Sequence, residues 1–130
     1  MLQNTGLEEN LARQKREAEE NDAKRRAEKS GLPYLNLIST QAPTEVKAME
    51  LVPEEEAKRG LLVPLQILKK KLIVAVFDPE KKETREIIEK LKKHYEVALV
   101  VASKAGLLHG WSYYQYIVTQ KEISGRVSLN

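Results

Sequence analysis

Three groups of residues in this chain are of a type and spacing that could do chemistry. Lys69, Lys70 and Lys71 stand between two apolar runs in LLVPLQILKKKLIVAVFDPEKK, residues 61–82. Three adjacent ammonium groups could hold an anion. They are equally the residues of a charged turn, because long cations at a hairpin tip are well solvated and discourage edge-to-edge strand pairing. The turn is the favoured reading, since isolated surface lysines supply little affinity. The second group is HGWSYYQY, residues 109–116, which concentrates four aromatics in a chain with one Trp, five Tyr and one Phe. Aromatics near lysines could stack the bases of a single strand. Helical spacing, however, puts Trp111 and Tyr114 on one stripe with Leu107, where packing explains them and leaves Tyr113 and Tyr116 less settled. The third is Glu54-Glu55-Glu56, which the favourable field at a helix start accounts for without catalysis.

The motifs that normally carry an active site are missing. No GxxxxGK or GxGxxG run is present to surround a phosphate with backbone N–H groups. His94 and His109 lie on separate elements and in no metal-ligand spacing. No serine sits in a GxSxG elbow. The sequence therefore offers no catalytic residue, no cofactor-binding residue and no metal ligand set.

Bulk properties narrow the class further. With 130 residues the chain is about one domain long, and 32% of it is charged for a net charge of only +3. A dedicated nucleic-acid binder carries a larger basic surplus on one face. The absence of cysteine excludes disulfides and thiolate metal sites. The longest apolar stretch, LIVAVF at 72–77, is too short for a bilayer, and the first residues lack a signal-peptide core. A cytoplasmic protein is expected.

The elements that must position these groups follow from local rules. Residues 1–30 read as a charged helical arm with acid-first pairs four apart, at Glu9/Arg13, Glu20/Lys24 and Asp22/Arg26. Its apolar stripe is thin (Leu7, Leu11, Ala18, Ala23, Ala27), which favours a solvated lead-in helix with little hold on a core over a partner-binding or coiled-coil arm. Ser30-Gly31 closes it. YLNLI at 34–38 alternates as a strand after Pro33. TEVKAMEL and PEEEAKR read as short helices, with Pro43 and Pro53 in first turns and Gly60 at the end of the second. LLVPLQIL and KLIVAVF form a hairpin, in which Pro64 marks an edge or a bulge and LIVAV a strand buried on both faces. Asp78-Pro79 reads as the cap and first residue of a helix running to about His94, with Thr84, Ile87, Ile88, Leu91 and Tyr95 on one face. VALVVA at 97–102 is a further buried strand, parallel to its predecessor across the helix. Ser103 caps a last helix whose stripe is Leu107, Trp111, Tyr114 and Val118. The predicted class is α/β (α+β): a small mixed sheet of about four strands with flanking helices, a charged helix at 1–30, a domain at 31–118 and a linker at 119–130.

The order of these motifs resembles the amino-terminal domain of type II secretion and type IV pilus assembly ATPases. GLPYLNL, AMELVPEEEAKRGLLVPLQI, KLIVAVFDP, VALVVAS and YYQYI follow one another as they do in that family, over about residues 31–117. Pro33, Tyr34, Val52, Pro53, Arg59, Pro64, Ala75, Asp78 and Pro79 stand at matching positions. The resemblance implies a regulatory or adaptor domain that docks a motor ATPase, through a flexible linker, onto the cytoplasmic part of an inner-membrane platform protein. The implied partners are that platform protein and the parent's own motor domain, with the membrane engaged only indirectly. Without a Walker motif this chain would not itself hydrolyse ATP, and no cofactor is implied. Some relatives bind cyclic di-GMP through a helical motif opening RLGxxLV. Here the corresponding stretch, LEENLARQKREAEENDAKRR, lacks its glycines and leucine ladder, and AGLLHG at 105–110 matches only a GLL fragment in another element. A cyclic di-GMP sensor and a single-strand nucleic-acid binder using Trp111 and Tyr113 are the alternative functions.

Overall fold

The computed structural model describes residues 2–39 and 44–117, with side-chain surroundings from residue 9 onward. The expected turn at Pro43, the contribution of Val118 and the linker at 119–130 lie outside the described residues.

At the centre is a three-stranded sheet in the order β1 (Leu62–Leu68), β2 (Lys71–Val76), β3 (Glu96–Val101). β1 and β2 are antiparallel and joined by Lys69-Lys70, with Lys69 in the left-handed region at φ 60°. Pro64, which has no N–H to give the ladder, lies on an edge strand and at the start of a register shift between Pro64 and Gln66. β2 is central, and Leu72, Val74, Ala75 and Val76 are fully buried, while Ile73 is half-buried, so the strand is covered completely on one face and in part on the other. β3 runs parallel to β2. It is an edge strand, so its residues 97–100 are only half-buried rather than buried throughout.

The expected fourth strand at 34–38 reduces to one parallel bridge, Tyr34 with Val101. The Leu35 amide donates to the Val101 carbonyl and the Val101 amide to that of Pro33. Beyond this point Asn36 takes the chain into a turn, its Oδ1 accepting from the amides of Ile38 (3.0 Å) and Ser39 (3.2 Å). That side chain offers the backbone an alternative to the ladder, which is why the alternation of YLNLI did not become a strand.

Helices cover the sheet. α2 (Val46–Met49) and α3 (Glu54–Arg59) precede it, α4 (Lys82–Lys92) bridges β2 to β3, and α5 (Lys104–Trp111) follows β3. On α4, Thr84, Ile87, Ile88 and Leu91 are buried, and Tyr95 beyond it packs beside the core. Asp78 does not cap this helix. Its Oδ1 accepts the Glu80 amide at 2.9 Å in a turn of its own, and α4 starts later, after Lys81. Proline at 79 makes the turn rigid and displaces the helix start by a few residues. Ser103 does cap α5, its Oγ accepting the Gly106 amide at 3.0 Å. The backbone tightens at Ser112–Tyr113, where the Ser112 hydroxyl donates back to the His109 carbonyl. Trp111, Tyr114 and Ile117 thus turn to the core three residues apart.

The long helix α1 (Leu2–Ser30) differs most from expectation. It ends with Gly31 at φ 70°, the Leu32 amide reaching the Ala27 carbonyl and the Gly31 amide that of Glu28, a double bond pattern that a left-handed residue permits. Residues 9–18 are exposed as the charge pattern predicts. Ala23 and Ala27, by contrast, are buried in the common core. A stripe of alanines holds because small side chains let the helix approach closely, and polar contacts complete the attachment.

Candidate functional site

Those polar contacts form the first notable constellation. Glu20 of α1 accepts from the Tyr34 hydroxyl on one carboxylate oxygen and from the Ser103 hydroxyl on the other. A single carboxylate thereby joins the long helix, the segment after it and the cap of α5. Burial, then the hydrogen bond and negative charge of Glu20, push the Tyr34 hydroxyl well above its ordinary pKa. Six residues further on, the Arg26 guanidinium lies 3.9 Å from the Phe77 ring, and its Nε donates to the Phe77 carbonyl at 3.1 Å. The Lys24 ammonium sits 5.5 Å above the Tyr34 ring, within cation–π range.

Between α1 and residues 34–39 runs an open cleft of about 660 Å³. Arg13, Arg16, Glu17, Glu20 and Lys24 line it from the helix, and Tyr34, Asn36 and Ile38 from the other wall. Sequence reasoning named Arg13 only as the partner of Glu9 in a helical pair and did not name Arg16. The signal available was the spacing 13, 16, 17, 20, 21, 24, which is one helical face.

α5 shows the second constellation, because its two sides differ in kind. Inward, Trp111 and Tyr114 are buried and each satisfies its polar tip: Nε1 donates to the Leu62 carbonyl and the Tyr114 hydroxyl to the Val52 carbonyl, both at 2.9 Å. Burial, with Glu54 nearby, raises the Tyr114 pKa. Gly106 and Gly110 permit this seating, since a Cβ on Gly110 would come 3.1 Å from Val63. The Gly-x-x-x-Gly spacing was a signal for close approach. Outward, Leu108 and Tyr116 are more than half exposed. His109, Tyr113 and Tyr116 form a ladder with ring centroids 5.6 and 6.2 Å apart. A base-stacking platform loses its central ring here, because Trp111 is committed to the core.

The remaining sequence candidates are dispersed. Lys69, Lys70 and Lys71 are exposed at the hairpin tip, away from the cleft beside α1. Lys71 stands beside Glu96 in the sheet register. Pro33 and Tyr34 meet β3, Pro64 and Ala75 are buried in the sheet, Pro53 is the residue before α3, Arg59 ends α3 on the surface, and Asp78-Pro79 form the turn before α4. These motif residues build the fold rather than gather at one site. Among the described residues no three potential metal ligands cluster, and no helix is long and apolar enough to cross a membrane.

The structure is a small α/β body whose aromatics are divided between core and surface. The family is explicit in the sequence: residues 30–117 match the MshEN domain model. The chain belongs to that family, the amino-terminal domain of type II secretion and type IV pilus ATPases. Solved structures share the fold. One is "Structure of MshE with cdg", with TM-score 0.60 and 24% identity, covering 68% of this chain and 62% of that one. Another is "Structure of the N-terminal domain of XpsE", with TM-score 0.59 and 16% identity, covering 72% of this chain and 64% of that one. This chain thus spans less than two thirds of either. No curated protein matches it.

Proposed function

We propose that this chain is a docking domain that connects a secretion or pilus motor to a cytoplasmic part of its inner-membrane platform. The carrying observation is the outer side of α5 and of residues 112–117 after it, where exposed Leu108, His109 and Tyr116, with half-buried Tyr113 between the last two, present an apolar and aromatic surface in a chain otherwise poor in aromatics. Exposed tyrosines and leucines on a rigid element supply contact area at low entropy cost, and such patches mark protein interfaces. Trp111 and Tyr114 fix the backbone beneath them, so the outer side chains are held in place before a partner arrives. The role is mechanical: the α/β body binds the platform and so holds a motor to it.

A pulldown with the platform's cytoplasmic domain tests this. Wild-type chain should be retained, and Leu108→Ala/Tyr116→Ala should lose most of that retention with an unchanged circular-dichroism spectrum. No binding at high micromolar concentration by correctly folded chain would end the proposal.

Cyclic di-GMP sensing is a second reading, supported by the fold shared with MshE, which was solved with cdg. Titration calorimetry with cyclic di-GMP separates it from docking. No heat at high micromolar ligand would remove it.

A further inference from the structure

We propose that the cleft between α1 and residues 34–39 binds an extended acidic peptide of the docking partner, a deepening that rests on the docking reading above. Arg13 and Arg16 lie one turn apart at one end of the cleft, and among the described residues neither has an acidic partner, although Glu17 is on the same face. At the other end the Lys24 ammonium lies over the Tyr34 ring, with no acidic partner among the described residues. In the middle, both oxygens of Glu20 already accept hydroxyl protons, which lowers that carboxylate's demand for a cation. The cleft thus presents cations at two ends rather than at one point.

The distance between those ends selects the ligand. Arg13 and Lys24 are eleven positions apart, about 16 Å along a helix at 1.5 Å per residue. An extended chain covers that length in about five residues. A compact phosphate would engage one end and leave the other idle. A peptide with acidic side chains about five positions apart engages both. Ile38, 40% exposed on the facing wall, offers the intervening residue an apolar contact. The recognised segment is therefore acidic at both ends and apolar in the middle.

The test uses the full chain, ¹⁵N-labelled, and a peptide with two glutamates five positions apart around a central leucine. Shifts should concentrate at residues 13–24 and 34–39. Replacing both glutamates by glutamine, or making Arg13→Glu/Arg16→Glu, should each weaken binding about tenfold, the scale of a few exposed charge pairs. A lysine peptide should regain affinity for a variant reversed at Arg13, Arg16 and Lys24. These positions are exposed, so the variants should fold as wild type does. Equal binding of the glutamate and glutamine peptides, shifts elsewhere, or no binding at millimolar peptide would overturn the proposal. The platform domain separates the two readings. If it binds and charge reversal has no effect, the cleft fails and docking stands. If it does not bind while the peptide does so through glutamate, docking fails and the cleft stands.

Discussion

α1 and α5 pack against the same body by opposite means. α5 and the residues just after it insert Leu107, Trp111 and Tyr114 and bring Gly106 against Leu37 and Gly110 against Val63 of the sheet. Among its described side chains, α1 contributes Ala23 and Ala27 to the core and completes its hold with Glu20 and Arg26. The apolar attachment is read from periodicity, because a stripe of large side chains has one physical use. The polar attachment is not, because a glutamate in a charged helix looks alike whether solvated or bound. A helix can thus be fixed by few contacts when each is well directed, and the contrast makes measurable claims.

The largest effect should come from α5. Trp111→Ala removes a buried ring and orphans the Leu62 carbonyl, and is expected to cost about 3–5 kcal/mol in denaturant unfolding. A cost under about 1 kcal/mol would show that α5 is not the principal anchor. An intermediate effect is expected on α1. Glu20→Ala should cost about 1–2 kcal/mol, a charged hydrogen-bond loss reduced for partial exposure. It should also raise amide hydrogen exchange in residues 19–27 while leaving the sheet protected. Uniform loss of protection would make α1 part of the cooperative core and erase the contrast. The smallest effect concerns pH. The Tyr114 pKa is raised above its ordinary 10.0, so its contribution is full below that value and is lost as pH rises through the higher folded value. Tyr114→Phe should lose about 1 kcal/mol at neutral pH with the hydrogen bond to Val52, and should soften the alkaline loss of stability. An unchanged alkaline profile would mean that Tyr114 does not govern it.

Much of the fold was legible. Pro64 announced the edge and the irregularity of β1, LIVAV the central strand, Thr84 to Leu91 the buried face of α4, and Ser103 the cap of α5. Each depends on neighbours a few residues away. The errors fell where two local solutions competed. Asp78 suits a helix cap and an Asx turn alike, and the turn prevailed. Residues 34–38 alternate as a strand does, yet Asn36 bends them away after one bridge. Of the two candidate surfaces, only the aromatics of α5 were visible beforehand, and their division into core and exposed sides was half resolved. The cleft beside α1 was invisible, since it needs Tyr34 and Ile38 to come alongside the helix.

By itself the sequence determined the hairpin, most of the helices, the Ser103 cap and the family, because propensity, periodicity and proline chemistry act over a few residues. Tertiary structure alone decided what Glu20 does. Its partner Ser103 lies 83 positions away, and no local rule brings two such residues together. Only the closing of the sheet, with α1 laid across the start of α5, puts a hydroxyl at each carboxylate oxygen and opens the cationic cleft beside them.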